Sequence, residues 1–227
     1  MTEILIADAS ELFREGIAAV LSKAPGFRIV GQASDGHQLL TAIEALKPDV
    51  AIIDASLPNL NGLDCAWEIR RTGTRVTVIL MSDSPDGVPL GDMIRAGVSG
   101  YVVKSGPVSE LINAIRARRR TDFYIGDEVA EELHDGVGTY ARTAIDKRNR
   151  LTLREREVLQ LIGEGNSSKE IGTKLRIAPS TVKTHRNNLM DKLNVREVAG
   201  LTREAIRLRL IKVDPAPDGT GLDTRVE

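Results

Sequence analysis

The sequence predicts an α/β domain with a doubly wound, five-stranded parallel sheet, followed by a small all-α domain of four helices. In residues 1–118, short apolar runs alternate with amphipathic stretches, which is typical of repeated βα units. From Leu151 onward, apolar residues recur at helical spacing. We expect two domains joined by a linker with one short helix and followed by a disordered tail, with these bounds: 1–120, linker 121–147, 148–211 and tail 212–227.

The five predicted strands are short and rich in Ile, Val and Leu, as buried strands of a parallel sheet are. They span 4–8, 27–32, 50–54, 76–81 and 100–103. The amphipathic stretches between them predict helices over 11–22, 36–46, 63–71, 86–96 and 108–118. Ligands bind such sheets beyond the carboxyl ends of the strands. Asp8, Asp54, Ser82 and Lys104 stand at four of these ends, so we expect them to converge.

The second domain has the layout of a helix-turn-helix DNA reader. Two capping boxes, Thr152-x-x-Glu155 and Ser167-x-x-Glu170, predict the starts of its first and second helices. Gly163 and Gly165 end the first helix, and Pro179 opens the third at a position where its missing N–H costs nothing. A fourth helix is expected over about 196–209. The apolar positions that can close one small core are Val158, Leu159, Ile162, Ile171, Leu175, Val182, Leu189 and Leu193.

Positive charge is concentrated in this second domain. Residues 147–212 hold 16 Lys and Arg against 7 Asp and Glu, a local net charge of +9, whereas the whole chain carries −1. A basic module inside a nearly neutral chain is the electrostatic footprint of a nucleic-acid binder. One face of the third helix carries phosphate and base-edge partners, namely Ser180, Thr181, Lys183, Thr184, His185, Arg186, Asn187 and Asn188.

The segment resembles the DNA-binding domain of the NarL/LuxR-type transcription regulators. The resemblance rests on Leu151-Thr152, Arg154-Glu155, Glu157-Val158-Leu159, Gly165, Lys169-Glu170-Ile171, Leu175, Thr181-Val182-Lys183, His185, Lys192-Leu193 and Val195. It implies that the third helix enters the major groove and that the fourth forms a homodimer contact on paired half-sites.

The same resemblance assigns roles on the third helix. It implies that Lys183, Thr184 and Asn187 face base edges, that Thr181, His185 and Lys192 lie nearer phosphates, and that Arg186 shares this DNA-binding face. For His185, packing within the domain is an equal alternative. Ala178 departs from the family, which usually has Ser or Thr as the cap of this helix.

The first domain resembles the receiver domain of two-component response regulators, which has a flavodoxin-like fold. The resemblance rests on Asp8, the run 13–16, Asp54 with Pro58 and Gly62, Ser82 and the run 100–104. It implies that Asp54 accepts a phosphoryl group from a sensor histidine kinase. It also implies that Ser82 hydrogen-bonds the phosphate, that Lys104 pairs with it and that Tyr101 moves inward on activation. A carboxylate nucleophile and a cation at the phosphoryl oxygens are the groups that this transfer needs.

Ala9 departs from the receiver pattern. The family usually ends the first strand with two adjacent acids that hold Mg²⁺ against the phosphoacceptor, and here Ala9 follows Asp8. The resemblance leaves Asp8, Asp54 and the backbone carbonyl of Ser56 as metal ligands, so Mg²⁺ binding is in doubt. Glu11 could supply a substitute carboxylate, although we expect it to cap the first helix.

Two mechanisms therefore stay open for a transcription regulator of this kind. In the first, phosphorylation of Asp54 turns on operator binding. In the second, the receiver is degenerate, and dimerisation, a partner protein or a ligand provides control. We expect no enzyme, because a flavodoxin-like enzyme or nucleotide binder would need a Gly-rich phosphate loop after the first strand, and residues 9–12 offer none.

Composition limits the remaining possibilities. The chain has 227 residues and one cysteine, Cys65, so it cannot form an intramolecular disulfide. Its three histidines are scattered and form no metal-binding cluster with Cys65. No apolar run is long enough for a signal peptide or a membrane helix, and we expect a cytoplasmic protein with no membrane partner.

Overall fold

The computed structural model describes residues 1–85, 88–117, 123–127, 130 and 151–212. These residues contain six strands: β1 (Thr2–Ala7), β2 (Phe27–Ala33), β3 (Val50–Asp54), β4 (Thr77–Ser82), β5 (Val98–Val103) and β6 (Tyr124–Ile125). The helices that interleave with β1–β5 are α1 (Glu11–Ser22), α2 (Gly36–Leu46), α3 (Gly62–Thr72), α4 (Leu90–Ala96) and α5 (Val108–Ala117). The second domain contributes α6 (Leu153–Gly163), α7 (Ser168–Leu175), α8 (Pro179–Leu193) and α9 (Val198–Arg207).

The sheet is parallel throughout, with the strand order β2-β1-β3-β4-β5-β6. Apolar side chains from alternate positions of the strands belong to two separate core clusters. One cluster contains Leu5, Ile53 and Leu80, and the other contains Ile4 and Ile52. Two clusters require that both faces of the sheet are covered by helices, as parallel sheets demand. The predicted α/β doubly wound fold, followed by an all-α domain, is confirmed.

The predicted number of strands is wrong by one. Tyr124 and Ile125 pair in parallel with Gly100 and Tyr101 and extend the sheet beyond β5. This two-residue strand lies in the stretch predicted to be linker. Its pairing is set by the exposed edge of β5 and not by its own sequence, because two residues are too few to show strand alternation.

Side-chain caps begin three of the receiver-like helices. The Ser10 hydroxyl accepts from the Phe13 amide, and Asp35 and Asn61 cap α2 and α3 in the same way. The expectation that Glu11 caps α1 is therefore wrong, since the cap is the residue before it. Glu11 stands in the first turn, where a carboxylate favours the positive end of the helix dipole.

The helical domain forms as its local signals predict. Both capping boxes are present, Thr152 with Glu155 and Ser167 with Glu170. Ala178 begins α8 without a side-chain cap, followed by proline. One core holds the domain together and contains every apolar residue predicted for it, namely Val158, Leu159, Ile162, Ile171, Leu175, Val182, Leu189 and Leu193.

Some predicted elements differ or cannot be compared. The helix predicted over 86–96 begins at Leu90, and residues 86–87 lie outside the described residues. Apart from residues 123–127 and 130, the predicted linker with its short helix lies outside the described residues, as does the predicted tail except for Lys212. The domain bounds stay predictions.

Gly36 and Gly16 provide a matched test of packing at helix positions. A Cβ at Gly36 would lie 2.1 Å from the Leu60 carbonyl oxygen, whereas a Cβ at Gly16 would meet nothing within 4 Å. We expect Gly36→Ala to destabilise the first domain by about 1–3 kcal/mol through overpacking. Gly16→Ala should be neutral or stabilise by up to about 1 kcal/mol. Urea unfolding followed by fluorescence of Trp67, the single tryptophan, measures both; equal effects would contradict the packing difference.

Candidate functional site

Three charged side chains meet at the carboxyl edge of the sheet. Asp8 follows β1, Asp54 ends β3 and Lys104 follows β5. The Lys104 Nζ lies 2.5 Å from an Asp8 carboxylate oxygen and 3.1 Å from an Asp54 carboxylate oxygen. The Lys104 Nζ also lies over the ring of Phe13, 4.8 Å from the ring centroid. The structure thus brings together Asp8, Asp54 and Lys104 as the topology predicts, while their roles in phosphoryl transfer stay predictions.

Burial shifts the ionisation of the groups in this cluster. Asp8 and Asp54 are both buried. Desolvation raises the pKa of Asp54 above its ordinary value, and the attraction of Lys104 offsets this only in part. Burial alone would lower the pKa of Lys104, but Asp54 and Asp8 together raise it. Lys104 is therefore a stable cation, whereas ionisation of Asp54 in the folded chain carries a free-energy cost.

The two predicted switch residues sit next to this cluster but point elsewhere. The Ser82 hydroxyl donates to the Ser84 carbonyl oxygen at 2.7 Å and accepts from the Ser84 amide at 3.1 Å. Tyr101 is fully buried, and its hydroxyl also donates to the Ser84 carbonyl, at 3.0 Å. Tyr101 is thus turned inward, and both side chains are anchored on the loop after β4.

The donors for Mg²⁺ do not form a set of three acids. Ala9 is exposed at the position of the missing acid, and the Ser10 amide donates to Asp8 at 2.7 Å. Ser56, whose carbonyl was a predicted ligand, donates its amide to the Asp54 carboxylate at 3.1 Å. Among the described residues, no group of three or more His, Cys, Asp or Glu side chains is placed to hold a metal. Glu11 therefore does not complete such a group with Asp8 and Asp54. The residues present therefore do not fit a three-carboxylate Mg²⁺ site.

The predicted DNA-reading side chains lie along α8. Thr181, Lys183, Thr184 and Asn187 are exposed, whereas His185 is half-buried. The Thr184 hydroxyl donates to the Ser180 carbonyl oxygen within the helix. Lys183 and Asn187 are exposed on one face of α8, so their hydrogen-bonding groups are accessible to the edges of DNA bases.

Arg186, which is half-buried, and Lys192, which is exposed, both bond to side chains of their own domain. Arg186 donates to the Ser168 hydroxyl at 2.8 Å and so ties α8 to α7. The Lys192 Nζ lies 2.7 Å from the Glu155 carboxylate, the same group that completes the first capping box. Burial alone would raise the pKa of Glu155, but its bonds to Lys192 and Thr152 lower it overall. Both cations therefore contribute to packing in addition to any contact with phosphate.

Sequence reasoning missed a polar contact between the two domains, which we call the interdomain seam. It joins one face of α6, carrying Arg156, Gln160 and Glu164, to α3 and the loop before it. The Gln160 side chain accepts from the Asn61 amide at 3.0 Å and donates to the Leu57 carbonyl oxygen at 2.9 Å. Gln160 is only 1% exposed.

An ion pair closes the other end of the seam. The Arg156 Nε lies 2.7 Å from the Asp64 carboxylate, and Asp64 has no exposed surface. Glu164 accepts from the Asn59 amide at 3.1 Å. The signal that could have found the seam is a polar i, i+4, i+8 row at 156, 160 and 164, but such a row is far more often a solvated face.

Three further contacts flank the seam. Leu153 packs against the core cluster of the first domain. The His37 Nε2 lies 3.8 Å from the Glu157 carboxylate. Lys212, which lies beyond the end of α9 at Arg207, pairs with Asp83 on the loop after β4. The second domain thus contacts both loops that border Asp54.

Comparison with known proteins agrees with this architecture. Residues 4–116 match the response regulator receiver domain family, and residues 149–205 match the luxR family of bacterial regulatory proteins. The probable transcriptional regulatory protein NarL of Mycobacterium tuberculosis is 34% identical over 211 residues, covering 92% of this chain and 95% of the relative. LiaR of Bacillus subtilis is 32% identical over 195 residues, covering 86% and 92%.

A solved structure extends the comparison to a DNA complex. RcsB from Salmonella enterica serovar Typhimurium, bound to the promoter rprA with a phosphomimetic, has a TM-score of 0.57 and 25% identity over 90% of this chain and 98% of that one. A receiver domain followed by a luxR-family domain defines a two-component response regulator. The chain belongs to the DNA-binding response regulators with a LuxR-type domain, which regulate transcription. Across the described residues, every helix is too short or too polar to cross a membrane.

The raised pKa of Asp54 predicts that neutralising this residue stabilises the folded chain, by an amount that depends on pH. A carboxyl whose pKa is raised by folding destabilises the folded state above its unfolded pKa, and this penalty disappears below it. We expect Asp54→Asn to raise the urea midpoint of the receiver at pH 7, with a gain that fades as the pH falls towards 3.8, the ordinary value.

The control for this prediction is Glu44→Gln, which removes an exposed carboxylate from α2 and should change little. Lys104 keeps Asp8 as a partner in the Asp54 variant. A lower midpoint for Asp54→Asn at pH 7 would show that attraction to Lys104 outweighs the cost of burial.

Proposed function

We propose that this response regulator reads paired DNA half-sites as a homodimer and that its receiver is impaired in Mg²⁺-dependent phosphorylation at Asp54. It acts as a regulator and not as an enzyme. The observation that carries the proposal is the phosphoacceptor cluster itself, where Lys104 lies between Asp8 and Asp54 and Ala9 occupies the place of the second acid.

The charge balance of the cluster supports impaired transfer. Two carboxylates and one ammonium leave a net charge of about −1 before any phosphoryl group arrives. An incoming phosphoryl group adds further negative charge on its equatorial oxygens, and transfer depends on cations that neutralise it. Lys104 already serves two carboxylates. A weakened metal site therefore leaves the transferred charge poorly compensated.

A conventional switch is the second candidate function, and one observation favours it. Lys104 lies 3.1 Å from Asp54, and Tyr101 and Ser82 both reach Ser84 on the loop after β4. These parts could respond to a phosphoryl group if a sensor histidine kinase supplied one fast enough. The two candidates differ in how far Asp54 is phosphorylated, not in DNA reading.

The exposed face of α8 supports the proposed DNA contacts. Lys183, Thr184 and Asn187 would read base edges, and Thr181, His185 and Lys192 would lie nearer phosphates. Arg186 belongs to the same DNA-binding set. The promoter complex of RcsB shows a relative of the same architecture on DNA. Val198 and Ile206 are exposed on α9 and offer an apolar contact for a second copy.

Restoring the missing acid tests the proposed impairment. Ala9 is exposed, so an aspartate fits there without repacking. We expect Ala9→Asp to raise the rate of phosphorylation by acetyl phosphate and Mg²⁺ by about 10-fold or more, because the loss of even an outer-shell partner typically costs about 10–100-fold in metal affinity or activity. Intact mass against time measures the fraction that gains one phosphoryl group.

Asp54→Ala is the control that assigns the added mass to Asp54, and Ala9→Ser controls for substitution at the same position without a charge. Full and rapid labelling of the unchanged protein, with no gain in Ala9→Asp, would contradict the proposal. It would leave the conventional switch.

Removing the Lys183 side chain tests the DNA-reading face. If Lys183 reads a base, Lys183→Ala should cost about 1–3 kcal/mol of affinity and relax specificity at one position of a duplex selected from a random pool. Lys23→Ala removes the same charge from the receiver surface and should have little effect. A uniform loss across all sequences would instead make Lys183 a phosphate contact.

A further inference from the structure

The receiver contact and the proposed reading face lie on different helices of the second domain. The seam uses α6, through Arg156, Gln160 and Glu164. The proposed reading face uses α8, whose polar side chains stay exposed while the receiver is docked, namely Ser180, Thr181, Lys183, Thr184, Asn187 and Asn188. Docking therefore buries none of the exposed base-reading set.

The charges of the seam are also satisfied without the reading face. Arg156 is paired with Asp64, and it also donates to the Leu151 carbonyl oxygen. Gln160 spans two backbone groups of the loop after Asp54. Because Arg156 and Gln160 are already paired within the protein, a nucleic acid bound to the exposed α8 side chains gains nothing by breaking these bonds.

We propose that the docked protomer binds DNA as it is, with the interdomain seam intact. The receiver does not mask the recognition helix, and DNA binding does not require the domains to separate. The inference rests on the proposed reading face on α8 but not on the phosphorylation state of Asp54.

Linkage gives the proposal a quantitative form. A ligand shifts an equilibrium between two conformations only by its difference in affinity for them. If docked and separated protomers present the same α8 face, DNA binds both equally and leaves the docking equilibrium unchanged. Opening the seam should then leave affinity for DNA unchanged, whereas a masked helix would gain affinity on opening.

Two backbone amides report the seam directly. Asn59 donates to Glu164 at 3.1 Å and Asn61 donates to Gln160 at 3.0 Å, so both depend on side chains of the other domain. We would measure hydrogen exchange of these amides in the full chain, with and without a saturating mixed-sequence duplex of about 30 base pairs at low salt, where electrostatic binding is strong.

The expected result is that exchange at both amides changes by less than about 2-fold on DNA, since local opening is not promoted. Exchange that becomes about 10-fold faster on DNA would overturn the proposal, because the domains would then separate on binding. Failure of the unmodified chain to bind the duplex would overturn it as well.

Gln160→Glu provides the open variant. It removes the donor to Leu57 and places a carboxylate beside that carbonyl oxygen and beside Glu164. We expect faster exchange at Asn59 and Asn61 with no change of more than about 2-fold in DNA affinity relative to Ser22→Glu, which adds the same charge on α1. A gain in affinity of about 10-fold would show that docking masks the reading face.

Two further outcomes complete the test. If Gln160→Glu leaves both amides as protected as before, the seam does not hold the domains together and the proposal fails. Lys183→Ala distinguishes a wrong reading face from a wrong docking model. If it retains full affinity, α8 is not the DNA surface, whatever the amides report.

Discussion

The position of the Lys104 ammonium between two buried carboxylates is the constraint on which the receiver depends. Parallel strands bring the ends of β1, β3 and β5 to one edge, and any charge placed there is taken out of water. Asp8 and Asp54 would repel each other without the cation, and the cation would be costly without them. The cluster is thus stable as a unit, and a change in the charge of Asp54 alters the balance for all three groups.

The loop after Asp54 links this balance to the second domain over a short distance. Ser56 donates to the Asp54 carboxylate, while Leu57 and Asn61, a few residues further along, hydrogen-bond Gln160. One end of the loop is therefore bonded to Asp54 and the other end to α6. A displacement of the loop backbone would lengthen bonds at one end or the other, so the same loop holds both α6 and Asp54.

Most of the fold follows from local sequence signals, whereas the contacts between domains do not. The strands β1 to β5 were predictable from apolar runs, and α6 and α7 from their capping boxes. The convergence of Asp8, Asp54 and Lys104 follows from topology alone. Two features escaped: β6, whose pairing depends on the edge of β5, and the seam, because buried Gln160 and Asp64 look like solvated residues until a partner domain covers them. Long-range polar contacts leave no periodicity in the sequence.

The chemistry of the seam also bears on the kind of control that this architecture permits. A contact made of one buried ion pair and side-chain bonds to backbone groups has modest net strength, because each group exchanges a protein partner for water on opening. It specifies one orientation of α6 more than it adds stability. In the proposed docked state, α8 is exposed at a fixed orientation, so access to the proposed reading face would not be the controlled quantity. In the proposed homodimer, the receiver could still set where the second copy places its own α8, since paired half-sites require a defined spacing between the two helices. Control would then act on the geometry of that homodimer.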